Sequence, residues 1–281
     1  MDKKIIWIAS YPKSGNTWIR SIISNILFSN DYVFDFELLK NIIEFDLPKN
    51  YNFLLKKNNQ DFYQLNKIEV ISKYWIEAQK NYNLKKEKKF FKTHSANIGY
   101  LGNPYTSKDL TKGVIYLIRD PRDVVISYSK HLNKKIDEVI FLMEQTNAIT
   151  YTAKGNYPVL LSRWDHHIKS WANLKVPKIV IKYENLLENT HDVIKQLIMF
   201  LNNRLDYDLK INETNLQKII KNTSFNNLKS QETCHGFPEA TNNSPFFRLG
   251  EKNQWQNNLS IKQQQRVYKL FKDTMDYFGY S

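Results

Sequence analysis

Residues 5–9, Ile-Ile-Trp-Ile-Ala, form a short apolar run of strand type that leads directly into the turn Tyr11-Pro12-Lys13-Ser14-Gly15-Asn16. From Thr17 to Phe28, apolar residues fall at Trp18, Ile19, Ile22, Ile23, Ile26 and Leu27, the stripe of an amphipathic helix. In a turn of this kind, with Pro12 and Gly15 between strand and helix, successive backbone N–H groups converge on an anion at the helix N-terminus. Lys13 adds a mobile cation, and Ser14 and Thr17 add hydroxyl donors. The segment therefore reads as a phosphate cradle; the competing reading is a plain strand–turn–helix with a solvated lysine. It is not a Walker A loop, in which the lysine follows the second glycine, because here Lys13 precedes the only glycine.

Three further β-type runs follow, at residues 89–93, 114–118 and 178–181. Helical patterns separate or follow them, at 67–81, 121–132, 160–174, 190–201 and 261–277. Strands alternating with helices predict an α/β fold, a central parallel β-sheet flanked by helices in a three-layer, P-loop-like nucleotide-binding architecture. The strands end at Lys13, at Lys92 and His94, at Arg119 and at Tyr183. Ligands of open parallel sheets sit outside the carboxyl ends of the strands, so these side chains are expected to share one crevice. With 281 residues, 42% of them apolar and 14% aromatic, and no repeats, the chain is expected to form one domain over residues 1–281.

After the second strand comes Phe90-Phe91-Lys92-Thr93-His94. Imidazole titrates near neutrality, which suits His94 to take a proton from an attacking hydroxyl or amine. A histidine after a strand is otherwise a structural residue, and Lys92 otherwise a snorkelling lysine. After the third strand, Arg119-Asp120-Pro121 starts a helix at once, with Asp120 as cap and Pro121 at the first helical position. Arg119 is then placed to fork onto a phosphate, and Ser127, two turns along, faces the same ligand. The alternatives are an Arg119–Asp123 ion pair and Asp120 as a Walker B-like metal ligand.

These elements closely resemble sulfotransferases that use 3′-phosphoadenosine 5′-phosphosulfate (PAPS). The turn at Lys13, Ser14, Gly15, Asn16, Thr17 and Trp18 is similar to the family's 5′-phosphosulfate loop, and Lys92-Thr93-His94 to the element carrying its catalytic base. Arg119 with Ser127 resembles its 3′-phosphate element, and Tyr183-Glu184-Asn185-Leu186 its Tyr-Glu-Asp/Asn-Leu element. Thr223-Ser224-Phe225 resembles its Thr-Ser-Phe element, which implies Phe225 opposite Trp18 as an adenine sandwich. Phe247-Arg248-Leu249-Gly250, followed by Trp255, is similar to the Arg-Lys-Gly loop over the 3′-phosphate. The likeness spans residue 5 to about 260, in the family's order. It implies in-line transfer of a sulfuryl group from PAPS, with PAP as by-product, to a hydroxyl or amine. His94, Lys13 and Lys92 would carry the catalysis, and no metal would be required.

The sequence departs from the family at Leu249, where a lysine is missing from the clamp; Lys252 is a candidate substitute. The Lys-Thr-Val-Glu dimer segment is replaced by Gln256, Ser260-Ile261 and Gln265, leaving the oligomeric state open. The rival enzyme is a P-loop-type small-molecule kinase, which would need Mg²⁺ and a Walker Lys-Ser/Thr pair. The formal charge of +13 also raises nucleic-acid binding, but the lysines are scattered and no recognised module is present, so no nucleic-acid partner is expected. His166-His167 and Cys234-His235 lack zinc spacing and are read as non-ligands. One cysteine and no apolar run of about 20 residues point to a cytoplasmic protein without a membrane span. Segments 31–46, 61–82, 131–157 and 233–247 are the expected acceptor walls. Their aromatics (Tyr32, Phe34, Phe36, Tyr63, Tyr74, Trp75, Phe141, Tyr151, Phe237) suit a small molecule, a lipid or a saccharide, or else are core.

Overall fold

The structure is a computed structural model that describes residues 4–54, 66–83, 88–151, 157–237, 239–240 and 245–280. Its centre is a parallel five-stranded sheet flanked by helices, with strand order β2-β3-β1-β4-β7. The strands are β1 (Ile5–Ser10), β2 (Ile43–Glu44), β3 (Lys89–Thr93), β4 (Thr111–Ile118) and β7 (Lys178–Lys182). A separate antiparallel hairpin joins β5 (Ile149–Thr150) to β6 (Val159–Leu160). Every residue of β1 is buried, as a strand covered on both faces requires, and this is why its sequence is a continuous apolar run rather than an alternation. β1 pairs in parallel with β3 from Ile5↔Lys89 to Ala9↔Thr93, and β2 pairs with β3 through Ile43↔Phe91 and Glu44↔Lys92.

The chain divides into two compact units, residues 1–11, 43–116 and 143–179 in the first, and 12–42, 117–142 and 180–281 in the second. In the first unit the core is aromatic. Trp7 lies 5.1 Å from Phe45, 5.6 Å from Tyr105 and 5.8 Å from both Phe91 and Trp171, in edge or tilted arrangements that each add to area burial. The two indole N–H groups are satisfied: Trp7 donates to Thr111 Oγ1 at 3.1 Å and Trp171 to the Ser95 carbonyl at 3.0 Å. The second unit is mainly helical, with Asn16–Phe28, Pro121–Leu132, Thr190–Leu205, Glu213–Asn222, Phe225–His235 and Ile261–Tyr277.

The helix Pro121–Leu132 starts and stops where the sequence places it, with Asp120 capping the N–H of Arg122 at 2.9 Å. The segment 67–81 does not form one helix. It runs as Ile68–Ile71, a 3₁₀ turn Ser72–Tyr74, and Trp75–Asn83. The helix expected over 160–174 is shortened to Trp164–Ala172, because Val159 and Leu160 are taken by the hairpin. Among the described residues no helix is long and apolar enough to cross a membrane.

Candidate active site

In the second unit the turn after β1 is held open by its own backbone. Lys13 is left-handed at φ 65°, an uncommon conformation for a non-glycine residue, and Gly15 follows at φ 93°. Only glycine fits at position 15, since a Cβ there would lie 2.7 Å from the Tyr183 ring. Arg119, buried at the end of β4, clamps the turn: its Nη1 donates to the Lys13 carbonyl at 3.2 Å and its Nη2 to the Glu251 carbonyl at 3.0 Å. The same guanidinium lies 4.3 Å over the Tyr183 ring and 3.8 Å from Asp123. Burial raises the Asp123 carboxyl above its ordinary range, against the pull of Arg119. The expected alternative, an Arg119–Asp123 pair, is thus present together with the clamp. Asp120 is occupied by its cap and by Arg122, at 2.7 Å, rather than by a metal-ligand set.

Two buried donors of this cradle have no hydrogen-bond partner among the described residues, the Ser14 hydroxyl and Arg119 Nε. Buried polar groups are normally satisfied, so orphans here fit a site completed by an anionic ligand. Thr17 departs from expectation: its hydroxyl donates to Glu239 at 3.3 Å, and the same carboxylate binds Arg20 at 2.6 Å. Asn16 begins the helix Asn16–Phe28 and is buried.

Around the cradle stand aromatic rings. Trp18 lies 6.0 Å from Tyr183 and 6.0 Å from Phe225, both edge-on, at interplanar angles of 73° and 70°. The parallel faces implied for Trp18 and Phe225 are therefore not what the two rings present; the Trp18 indole is fixed by donating to the Thr223 carbonyl at 2.8 Å. Thr223 and Ser224 use their hydroxyls at helix ends, Thr223 on the Ile219 carbonyl and Ser224 as cap of Phe225–His235. Gly250, at φ 67°, allows the backbone to approach Phe225, where a Cβ would stand 2.5 Å from the ring. Phe247 is buried against Phe225 at 5.7 Å, and its N–H and that of Phe246 donate to Glu232 at 2.8 and 2.6 Å. Glu232 thereby positions the loop that carries Arg248, Leu249 and Gly250. Sequence reasoning missed it, since nothing local distinguishes this glutamate from its solvated neighbours. Lys13 Nζ lies 4.3 Å over the Phe246 ring, and a cleft next to it is lined by Ser127 and Arg248.

The first unit holds the imidazole. His94 Nδ1 lies 2.8 Å from the Ser10 carbonyl and 3.3 Å from the Ser10 hydroxyl. A carbonyl only accepts, so Nδ1 carries the hydrogen and the lone pair of the neutral ring falls on Nε2. Lys92 is buried and pairs with Glu44 at 3.6 Å, its neighbour across the β2–β3 register. Asp46, next to this pair, accepts from the Thr93 hydroxyl at 3.2 Å; burial first and Glu44 second hold its carboxyl well above the usual range.

His167, a non-ligand by its sequence spacing, has another place in the site: it holds the backbone of His94. Its Nε2–H donates to the His94 carbonyl at 3.1 Å, and its Nδ1 accepts from the Tyr116 hydroxyl at 2.8 Å. The available signal was its place on the apolar stripe with Trp164, Ile168 and Trp171, where an imidazole must find partners. Burial depresses its pKa from 6.5 to about 4. The unfolded chain then binds the extra proton first, so this group's stabilisation is complete above pH 6.5 and is lost as the pH falls to about 4. The stability gap between the wild type and His167→Gln should therefore shrink by about 3 kcal/mol between pH 7 and pH 4 in urea unfolding. A gap that does not change with pH would contradict a buried neutral imidazole.

The aromatics of the expected acceptor walls divide. Trp75 is core, 5.1 Å from Tyr105, and Phe34 is buried, whereas Phe141 and Tyr151 are exposed. Phe36 and Phe237 join a cluster with Phe246 and Phe247 in the second unit. Tyr63 lies outside the described residues, as do 152–156.

The sheet and the cradle define an α/β nucleotide-site fold, and comparison with known proteins identifies its family. The sulfotransferase domain family model matches residues 3–279, and the chain belongs to that family. It is a sulfotransferase. Among its relatives are a 3-alpha-hydroxysteroid sulfotransferase of Cavia porcellus, 24% identical over 273 residues, covering 95% of this chain and 82% of the relative. Sulfotransferase 1E1 of Bos taurus is 26% identical over 273 residues, covering 90% and 77%. Among solved structures, retinol dehydratase in complex with androsterone and inactive cofactor PAP aligns at TM-score 0.65 and 20% identity, over 98% of this chain and 81% of that one. Mouse sulfotransferase SULT7A1 complexed with PAP aligns at TM-score 0.61 and 19% identity, over 98% and 84%.

Proposed function

We propose that the chain works as one catalytic domain that takes its sulfuryl group from PAPS and passes it to a hydroxyl of a small, largely apolar alcohol or phenol. The observation that carries this reading is the 2.8 Å contact of His94 Nδ1 with the Ser10 carbonyl, which assigns the hydrogen to Nδ1 and the lone pair of the neutral ring to Nε2. Only Tyr11 and Pro12 separate Ser10 from Lys13 in the chain, so the residue that orients the base also leads into the anion cradle. PAPS supplies the sulfuryl group. The orphaned Ser14 hydroxyl and Arg119 Nε, with Lys13 and the amides of the turn, fit its anionic ends.

His94 Nε2 accepts the acceptor's proton as the acceptor oxygen forms its bond to sulfur. The bond from sulfur to the bisphosphate oxygen breaks, and Lys13, with the turn's N–H groups, stabilises the charge left there. Lys92, paired with Glu44 at 3.6 Å, supports the end of β3 and directs its ammonium charge to the sulfuryl oxygens. Arg119, Ser127 and Arg248 bind the 3′-phosphate, Gly250 gives their loop its close approach, and Trp18, Tyr183, Phe225 and Phe247 form the adenine groove that Thr223 and Ser224 shape. The acceptor class is supported by the Phe36–Phe237–Phe246–Phe247 cluster and by the androsterone bound in the retinol dehydratase structure. A cytoplasmic setting is supported by the single, exposed Cys234.

The test is incubation of a pool of hydroxysteroids, retinol and simple phenols, first with sulfur-labelled PAPS in EDTA and then with ATP and Mg²⁺. Labelled sulfate esters in EDTA are expected. Phosphorylated products formed only with ATP and Mg²⁺ would overturn the assignment in favour of a kinase.

A further inference from the structure

The loop Phe247-Arg248-Leu249-Gly250 has a leucine where the resemblance implies a lysine, so the clamp on a terminal phosphate is short of one cation. The leucine is 45% exposed. Lys252, three residues on, forms an ion pair with Glu188 and is not among the residues lining the cleft next to Arg248.

A different cation stands in the right company. The cleft in the second unit is lined by Lys13, Ser127, Lys130, His131, Phe246 and Arg248, and no carboxylate lines it among the described residues. Ser127 and Lys130 are three residues apart on the helix Pro121–Leu132, so they share one face. The Lys130 ammonium is pushed below its ordinary pKa by partial burial first and by Arg248 second; Arg248 in turn is pushed down by burial and by Arg119. Like charges gathered around one cleft repel one another, and an anion seated among them removes that repulsion. A nucleotide phosphate, with three acceptor oxygens, matches an ammonium, a guanidinium and a hydroxyl.

We propose that Lys130 supplies the cation missing at position 249, binding the nucleotide's 3′-phosphate together with Ser127 and Arg248. This rests on the PAPS reading above and adds to it a residue that the loop motif does not contain. The positive charge comes from the last turn of a helix, one turn beyond the serine that contacts the same group.

The experiment is calorimetric titration of adenosine 3′,5′-bisphosphate and of AMP, which lacks the 3′-phosphate, into four proteins: the wild type, Lys130→Met, Lys252→Met and the double variant Lys130→Met/Leu249→Lys. The wild type is expected to prefer the bisphosphate. Lys130→Met should weaken bisphosphate binding by about tenfold while leaving AMP affinity within about twofold, which also shows that the variant is folded. Lys252→Met should behave as wild type, and the double variant should regain the preference. Retention of the full preference by Lys130→Met, or its loss in Lys252→Met, would overturn the assignment of Lys130 alone. A wild type that binds AMP as well as the bisphosphate would overturn the PAPS reading itself.

Discussion

Substitution of His94 by alanine is expected to lower sulfuryl transfer by about 10²- to 10⁴-fold while bisphosphate affinity stays within about twofold of wild type, the range typical of losing a general base. The separation is expected because His94, hydrogen-bonded to Ser10, is assigned to the acceptor's proton, whereas other residues are assigned to the nucleotide. His94→Gln is the informative companion. Its amide can still donate to the Ser10 carbonyl but offers no basic nitrogen, so it should keep the fold of the strand end and remain as inactive as the alanine variant. Turnover under saturating donor and acceptor, with calorimetry on the by-product, reads both effects. If either variant retains wild-type turnover, or loses the by-product as well, His94 is not the base.

The second large effect is expected at Arg119. Arg119→Met removes two hydrogen bonds to loop carbonyls, the contact with the Tyr183 ring and the countercharge of Asp123. The bisphosphate should lose at least about hundredfold in affinity, the value of one or two charge-assisted bonds in a buried site. The folded state should lose about 3 kcal/mol as well, because the buried Asp123 carboxyl keeps its hydrogen bond from the Trp255 N–H but loses its countercharge. The two losses can be separated. Arg119→Met/Asp123→Asn should recover most of the stability in thermal unfolding and none of the affinity. Recovery of both would mean that Arg119 acts only through the fold.

Parts of this architecture were legible because single physical rules dominate them. β1, β3 and the helix Pro121–Leu132 were read nearly to the residue, since continuous apolar runs and an Asp-Pro start have few alternatives. β2 was invisible: two residues, Ile43 and Glu44, carry no periodicity, and only their pairing with Phe91 and Lys92 makes them a strand. That omission hid the partner of Lys92. The hairpin of β5 and β6 escaped for the same reason. The pattern at 67–81 predicts one continuous helix because apolar spacing does not report the tightening of one turn at Ser72–Tyr74. At the site, charged groups at strand ends could be found from the sequence, while Glu232 and His167 act through long-range hydrogen bonds to backbone that no local pattern encodes.

Gly15 and Gly250 are both shaped by rings that occupy the space a side chain would need, Tyr183 at one and Phe225 at the other. The dimensions of the groove proposed for the adenine are thus set by missing atoms, and those two positions have a single permitted occupant. Leu249, immediately before Gly250, faces outward and answers to no such restriction. A position that only glycine fits and one open to substitution therefore stand side by side on the same loop, so the charge of this rim can change without altering how Gly250 packs on the Phe225 ring.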